Sequence, residues 1–277
     1  MTSPTESYLS FFSELSALDP WGLLCLFILA AMRVAPMIVT APFFGARTPS
    51  PIKMGMLIML TILFLPSMTL ACKTSLNFNT EFIMLCGKEL FIGFLLAFLI
   101  SIPFYIAQSS GITIDFLRGS SSLQINDPTT QVQASDLGVL YNYLLIVIFY
   151  EVNGPFYFYS AMIDSYQIVP PDQWLSLSFF SFHHPVWTQL WDIVNQIMAI
   201  SIQLAAPSLL AILMTETFLG IANRLAPQVQ IAFLGMSLKS LVGLGILCLA
   251  WYFILEQMQK HTFLWLEKFY TLVLSLR

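Results

Sequence analysis

A chain of 277 residues that is 57% hydrophobic and only 9% charged, with a mean hydropathy of +0.79, stands far from the roughly 25% charged content of an ordinary soluble domain. That excludes a soluble enzyme, and the 24 Phe, 10 Tyr and 6 Trp exclude a disordered chain, which could not leave so much apolar surface in water. Eleven Lys and Arg against 15 Asp and Glu give a net charge of −4 with no basic run to meet a phosphate backbone, so no nucleic-acid partner is expected. The polypeptide belongs in or beside lipid.

Residues 1–20 come first. Tyr8, Phe11, Phe12, Leu15 and Leu18 recur there at helical spacing among Ser and Glu, which suits an amphipathic segment lying on an interface or a partner. Glu6, Glu14 and Asp19 without any Lys or Arg do not resemble a cleavable signal, so this segment is expected to be retained. Six long apolar stretches follow, at about Trp21–Phe44, Ile52–Ala71, Phe82–Ala107, Leu137–Val152, Val186–Thr215 and Val229–Leu255. Each is near or above the roughly 20 residues that cross a hydrocarbon core, except the fourth, which reaches that length only by continuing past Gly154 and Pro155. The runs are continuously apolar and do not alternate, so membrane strands are a poor alternative. Residues 256–277 mix Lys260, Lys268 and Arg277 with Met258, Trp265, Phe269 and Leu272, a second amphipathic tail that would not cross lipid by itself. The predicted fold class is all-α: a polytopic membrane bundle, in a single domain, of about six Pro/Gly-broken hydrophobic helices or helical hairpins.

Breaks and charges shape this bundle further. Pro36 and Pro42 fall in the first stretch, Pro103 in the third, Pro155 in the fourth and Pro207 in the fifth; each removes a backbone donor and frees carbonyls that hydrocarbon cannot satisfy. Arg33, Lys88, Glu89, Glu216, Arg224 and Lys239 also punctuate apolar sequence, at about 2.5–3.5 kcal/mol apiece were they at a bilayer centre. Lys88, near the start of its stretch, can snorkel; Arg33 cannot easily do so. Glu216 and Arg224 lie eight positions apart, about 12 Å along a straight helix, too far to pair directly unless Gly220 or Pro227 bends the backbone. The distribution of Lys and Arg between the two sides is a draw, so either one stretch fails to cross, giving an odd number of spans, or, the reading favoured here, the segments are packed in a protein assembly where that bias loses its force.

No catalytic constellation accompanies these features. His183 and His184 precede Pro185 and His261 sits in the tail, with no HExxH, nucleophile elbow, P-loop or dinucleotide fingerprint, so no enzyme, metal or cofactor is expected. The least apolar region is residues 108–136, predicted to be a loop. It holds Gly111, Asp115, Arg118 and Gly119 together with Ile112, Ile114, Phe116, Leu117, Leu123 and Ile125. Its apolar content lets it pack and its glycines let it rearrange, so it fits a gate, plug or lid as well as an ordinary connector.

Several spaced motifs resemble one family. They are Arg33-Val-Ala-Pro36 and Ala41-Pro42-Phe43-Phe44-Gly45, then Pro51, Lys53, Glu89-Leu90 and Ile92-Gly93. Gly111, Asp115 and Gly119 follow, with Asn153-Gly154-Pro155, Ser165-Tyr166 and Pro170. The strongest block is Ala206-Pro207, Glu216, Leu219-Gly220, Arg224, Ala226-Pro227-Gln228, Gly235, Leu238-Lys239 and Gly243. In this order they resemble the T subunit of the type III secretion export apparatus, the group with SctT, YscT, SpaR and the flagellar protein FliR, and the chain looks closer to the virulence branch. The resemblance implies a core component of an export gate in the bacterial inner membrane, at the centre of the secretion base and partly raised to the periplasmic side. It implies R and S subunits as partners, with the U and V subunits beside them and unfolded polypeptides as cargo. The region from Gly111 to Ser135 would then supply a plug, and Arg33, Pro36, Pro42, Glu89, Pro207, Glu216, Arg224, Pro227, Gln228 and Lys239 would serve assembly or buried polar contacts. The rival is a self-contained secondary transporter or channel, in which Glu89, Arg33 or Glu216 would bind an ion or solute near mid-membrane.

Overall fold

The computed structural model describes residues 20–45, 48–72, 78–119, 135–174, 185–225 and 231–274, and these are almost wholly helical. The helices are α1 (Pro20–Thr40), α2 (Ser50–Ala71), α3 (Thr80–Arg118), α4 (Asp136–Glu151), α5 (Gly154–Ile168), α6 (Pro185–Leu225), α7 (Ile231–Leu249) and α8 (Trp251–Leu274). No strand occurs among the described residues, as expected where every backbone donor and acceptor must be satisfied inside its own segment. Among the described residues four helices, α1, α2, α3 and α6, are each long and apolar enough to cross a membrane, or up to six spans if the bent pairs α4–α5 and α7–α8 each count as one.

The breaks follow local chemistry. Pro36 lies inside α1 and Pro66 inside α2, Pro103 inside α3 and Pro207 inside α6. Pro42 and Pro155 instead stand at helix starts, where the missing N–H costs nothing. Pro42 opens a 3-10 turn, Pro42–Phe44, closed by Gly45 at φ 90°, a backbone angle that favours glycine. Between α4 and α5 the chain turns by 72° at Asn153, which adopts the left-handed conformation with φ 58°, one that Asn tolerates better than most residues. The expected continuation of the fourth stretch past Gly154 and Pro155 is therefore a bent pair, not one straight span.

Two expected boundaries are corrected. Residues 108–118 are helix and not loop: α3 runs 39 residues to Arg118, because its polar end finds partners on α4, described below. The sixth stretch does not run unbroken to Leu255 and yield to a separate tail at 256. It breaks at Ala250, and α8 begins at Trp251 at 64° to α7, burying Ile254, Met258, Trp265, Leu266, Phe269, Leu272 and Val273 at the i, i+3, i+4 spacing of an inward face. The amphipathic segment at residues 1–19 lies outside the described residues.

The chain divides into two compact units, one of Met1–Ser101, Asn153–Trp191 and Leu266–Arg277, the other of Ile102–Val152 and Asp192–Trp265. In the first, α2 packs on α1 and α5, with Phe64 against the rings of Tyr159 and Tyr166 and Phe43 edge-on to Phe158 at 5.5 Å. Such pairs hold a seam by shape as much as by area. In the second, Phe104 of α3 meets Phe149 of α4 at 5.4 Å. Ser109 of α3 and Ser201 of α6 share a 2.6 Å hydrogen bond. Gly243 of α7 lies so close to α6 that a Cβ there would come within 2.9 Å of Ile212.

Candidate functional site

Two polar sites stand out, one in each unit. The first begins with Arg33, which sits inside α1 and is fully buried, as is Glu89 of α3. A guanidinium in an apolar setting must have its donors met, and here Nε donates to Glu89 Oε2 at 2.5 Å while Nη2 donates to Oε1 at 2.9 Å, the two-pronged geometry that Arg offers a carboxylate. Nη1 donates to Ser165 Oγ at 3.1 Å, and Nη2 also donates to the carbonyl of Val169 at 2.9 Å. The Tyr166 ring lies 4.2 Å below the guanidinium carbon, a cation–π contact. Helices α1 and α3 come together closely enough for this because residue 93 is glycine: a Cβ there would stand 2.2 Å from the Arg33 carbonyl oxygen.

Lys88 adds a second cation. Its Nζ is 2.9 Å from Glu89 Oε1 and donates to the carbonyls of Pro170 at 2.8 Å, Pro171 at 3.1 Å and Gln173 at 2.9 Å. Four oxygens thus surround an ammonium that has three hydrogens. One carboxylate facing two cations is balanced by position: Val169 caps the C-terminus of α5, where unpaired carbonyls and the helix dipole favour positive charge. Lys88 does not snorkel; it ties down the turn that follows α5. Both oxygens of Glu89 are occupied by Arg33 and Lys88, so the cluster is a cross-link among α1, α3 and α5 and offers no free ligand to a passing cation.

The second site is where α3 ends and α4 begins. Asp115, 4% exposed, accepts through Oδ2 from Ser135 Oγ at 2.5 Å and from the Leu137 amide at 3.0 Å. Its Oδ1 meets Arg118 Nη2 at 2.8 Å. Ser135 is the N-cap of α4 and accepts from the Gly138 amide at 2.9 Å. Between them Asp115 and Ser135 satisfy two first-turn amides that α4 cannot pair internally, and the carboxylate lies at the favourable end of its dipole. A Cβ on Gly111 would stand 2.5 Å from the Leu137 carbonyl, and one on Gly138 would stand 3.1 Å from the Gln108 carbonyl. Here too the backbones nearly touch.

The expected site residues therefore separate. Arg33 and Glu89 meet, and Pro36 lies three residues on in the same helix, half-buried. Gly111, Ile114 and Asp115 are buried, whereas Ile112 is 45% and Phe116 69% exposed; Leu117, Arg118 and Gly119 are half-buried. Glu216 pairs with Lys239 at 2.7 Å across the α6–α7 hairpin. Two of the residues expected at assembly or buried polar contacts are not buried by the chain itself. Glu216 is 54% exposed at its side chain, and Arg224, in the last turn of α6, is exposed, because that face of α6 is not covered by the chain itself. Pro207 is half-buried. Leu123, Ile125, Pro227, Gln228 and the His183–His184 pair lie outside the described residues.

Sequence reasoning missed the clamp role of Lys88, the Ser165 and Tyr166 contacts to Arg33, and the carbonyls of 169–173. Only Ser135 left a readable signal, a Ser directly before an acidic first turn and an apolar run.

Residues 24–264 match the model of a family described as bacterial export proteins, family 1. The chain is 32% identical over 161 residues to the Yop proteins translocation protein T of Yersinia pestis, an alignment covering 58% of this chain and 60% of that protein. It is 28% identical over 184 residues to the secretion system apparatus protein SsaT of Salmonella typhimurium, covering 66% and 67%. It is 27% identical over 216 residues to the surface presentation of antigens protein SpaR of Shigella flexneri, covering 78% and 80%.

Proposed function

The chain belongs to the bacterial export proteins, family 1, and from that premise we propose that it is the T subunit of a type III export apparatus. In this reading it sits in the bacterial inner membrane at the centre of the secretion base, partly raised to the periplasmic side. It assembles with R and S subunits beside the U and V subunits, and unfolded polypeptides pass through the shared channel. Its relatives, a translocation protein and a secretion system apparatus protein, support the same reading.

The observation that carries the proposal is the uncovered face of α6. Of its most apolar window only 28% is buried by the rest of the chain, and exposed Trp191, Met198, Leu210, Met214, Phe218 and Leu225 run along nearly its whole length. At 1.5 Å per residue these exposed side chains are spread along about 50 Å of helix, on more than one of its sides. A hydrocarbon core is about 30 Å thick, and even a 40° tilt leaves about 40 Å to cover. Lipid alone does not match such a face, whereas other helical subunits would. Exposed Arg224 and half-exposed Glu216 lie toward the end of this same helix, as residues that complete their contacts on a neighbour. The plug, in this proposal, is supplied by the chain from Gly111 to Ser135, with the helical part to Arg118 as its fixed root.

Co-expression with R and S subunits tests the assembly. One detergent-stable particle holding all three is expected, with the lone chain polydisperse. A homogeneous monomer that moves a small solute would establish the transporter reading in its place. For the plug, removal of residues 120–131 from an assembled complex is expected to make the membrane leaky to small ions; unchanged permeability in a fully assembled complex would refute it.

A further inference from the structure

Helix α6 is covered along one side only. Ser201, Ala205, Ser208, Ile212 and Leu219 are buried, and at 3.6 residues per turn they fall on one side of the helix. Gln203 stands opposite that side and is exposed. It lies near the middle of the uncharged stretch between Asp192 and Glu216, about 17 Å along the axis from the first and about 20 Å from the second. A bilayer centred on this stretch, with a hydrocarbon half about 15 Å deep, holds Gln203 close to its midplane.

Two features of residue 203 demand partners there. Hydroxyls on this helix satisfy themselves: Ser201 donates to the Ile197 carbonyl at 2.7 Å, Thr215 to that of Ala211 at 2.8 Å and Thr217 to that of Met214 at 2.8 Å, the back-bonding that short side chains allow. The longer carboxamide of Gln203 instead carries two donors and an acceptor oxygen outward. The backbone adds to this, because Pro207 has no amide to give the carbonyl of Gln203 four positions earlier. In α3 the carbonyl freed in the same way by Pro103 belongs to Leu99, which is buried; here it belongs to an exposed residue. Hydrocarbon can meet neither group. The surroundings are also not those of a water-lined wall, since Leu210 and Met214 on the same side are 60% and 70% exposed. Exposed Ala199 and half-buried Ala206 flank Gln203, and such small residues let another helix come close.

We propose that Ala199, Gln203 and Ala206 form the docking notch for a helix of a neighbouring subunit, one that presents a hydrogen-bonding side chain, a carboxamide, hydroxyl or amine, at the same depth. This deepens the assembly reading above and rests on it. The partner's polar group pairs with the Gln203 carboxamide and its donor meets the carbonyl that Pro207 leaves open.

The test uses co-expressed T, R and S subunits, with the lone chain in detergent as control. Gln203→Leu is expected to lower recovery of R and S about fivefold, the equivalent of about 1 kcal/mol, and to leave the thermal midpoint of the lone chain unchanged. Gln203→Asn keeps a carboxamide and should restore part of that recovery. Ala199→Leu fills the notch without touching the hydrogen bond and is expected to reduce recovery in the same way. A photo-crosslinker in place of Leu210, two turns along the same side, is expected to label R or S. If the parent trio assembles while Gln203→Leu and Ala199→Leu are recovered like the parent, the notch is overturned and the T-subunit reading stands. A crosslink to lipid alone, to exported polypeptide or to nothing in the assembled trio overturns it equally. So does a matching loss of thermal midpoint in the lone chain, which would make Gln203 an internal stabiliser. If the parent trio does not assemble, the T-subunit reading falls and this inference with it.

Discussion

Helices α3 and α6 are near twins in sequence terms: each offers a 39-residue apolar run with similar hydropathy, and each contains a proline. Yet the chain buries 67% of the best window of α3 and only 28% of that of α6. Their charges differ in the same sense. Glu89 of α3 is completely enclosed and saturated by Arg33 and Lys88, while Glu216 of α6 is half open to its surroundings and holds one bond to Lys239. The first helix has its charges and most of its best window enclosed by its own chain, although Ile83, Phe94 and Phe116 remain exposed; the second leaves most of its window uncovered. Hydrophobicity alone does not distinguish them, because both environments are apolar. The number of hydrogen-bond partners around each charge does.

Substitutions can break this contrast, beginning where the effect should be greatest. Glu89→Ala leaves Arg33 and Lys88 buried and unopposed, and loss of about 3–5 kcal/mol is expected, seen as failure to recover folded protein in detergent. The double change Arg33→Met with Glu89→Leu should be recovered better than either single change, because an apolar pair of similar volume removes the orphan along with the bond. Gly93→Ala should cost about 1–3 kcal/mol by forcing α1 and α3 apart beside Arg33, read as a lower thermal midpoint. Glu216→Ala should cost the isolated chain less than about 1 kcal/mol but reduce recovery of the R and S subunits in a pull-down. Arg224→Ala should leave the chain's own stability unchanged and diminish only that recovery. If Glu216→Ala or Arg224→Ala destabilised the lone chain as severely as Glu89→Ala, the distinction between a completed and an uncompleted helix would be lost.

Much of the architecture was legible in the amino-acid order, and the failures have physical causes. Continuous apolar runs revealed the all-helical fold, and Pro155 marked an interruption in the fourth stretch, whereas the 72° bend at the left-handed Asn153 is seen only in the structure. The break at Ala250 left no such mark: Leu249, Ala250 and Trp251 are all compatible with helix, so tertiary packing of α8 decides it. The end of α3 was misread because Gln108, Ser109, Ser110 and Gly111 look like loop sequence. In the structure Ser110 is buried and bonds back to Ala107, Ser109 reaches Ser201, and the glycine is required by the closeness of α4. Arg33 and Glu89 were recognisable as groups that need partners, but they are 56 positions apart, and nothing local indicates that they find each other. Lys88 was harder still, since its partners are backbone carbonyls, which no side-chain pattern announces.

The oxygen cage around Lys88 makes the turn after α5 indifferent to the surrounding solution. A turn whose carbonyls converge on one point would ordinarily recruit a dissolved cation and loosen or tighten as the medium changed. Here the positive charge is covalently part of the polypeptide and nearly withdrawn from solvent, with 3% of its side chain exposed, so dissolved salt screens it far less than an open surface pair. The turn thus carries its counter-ion on a tether.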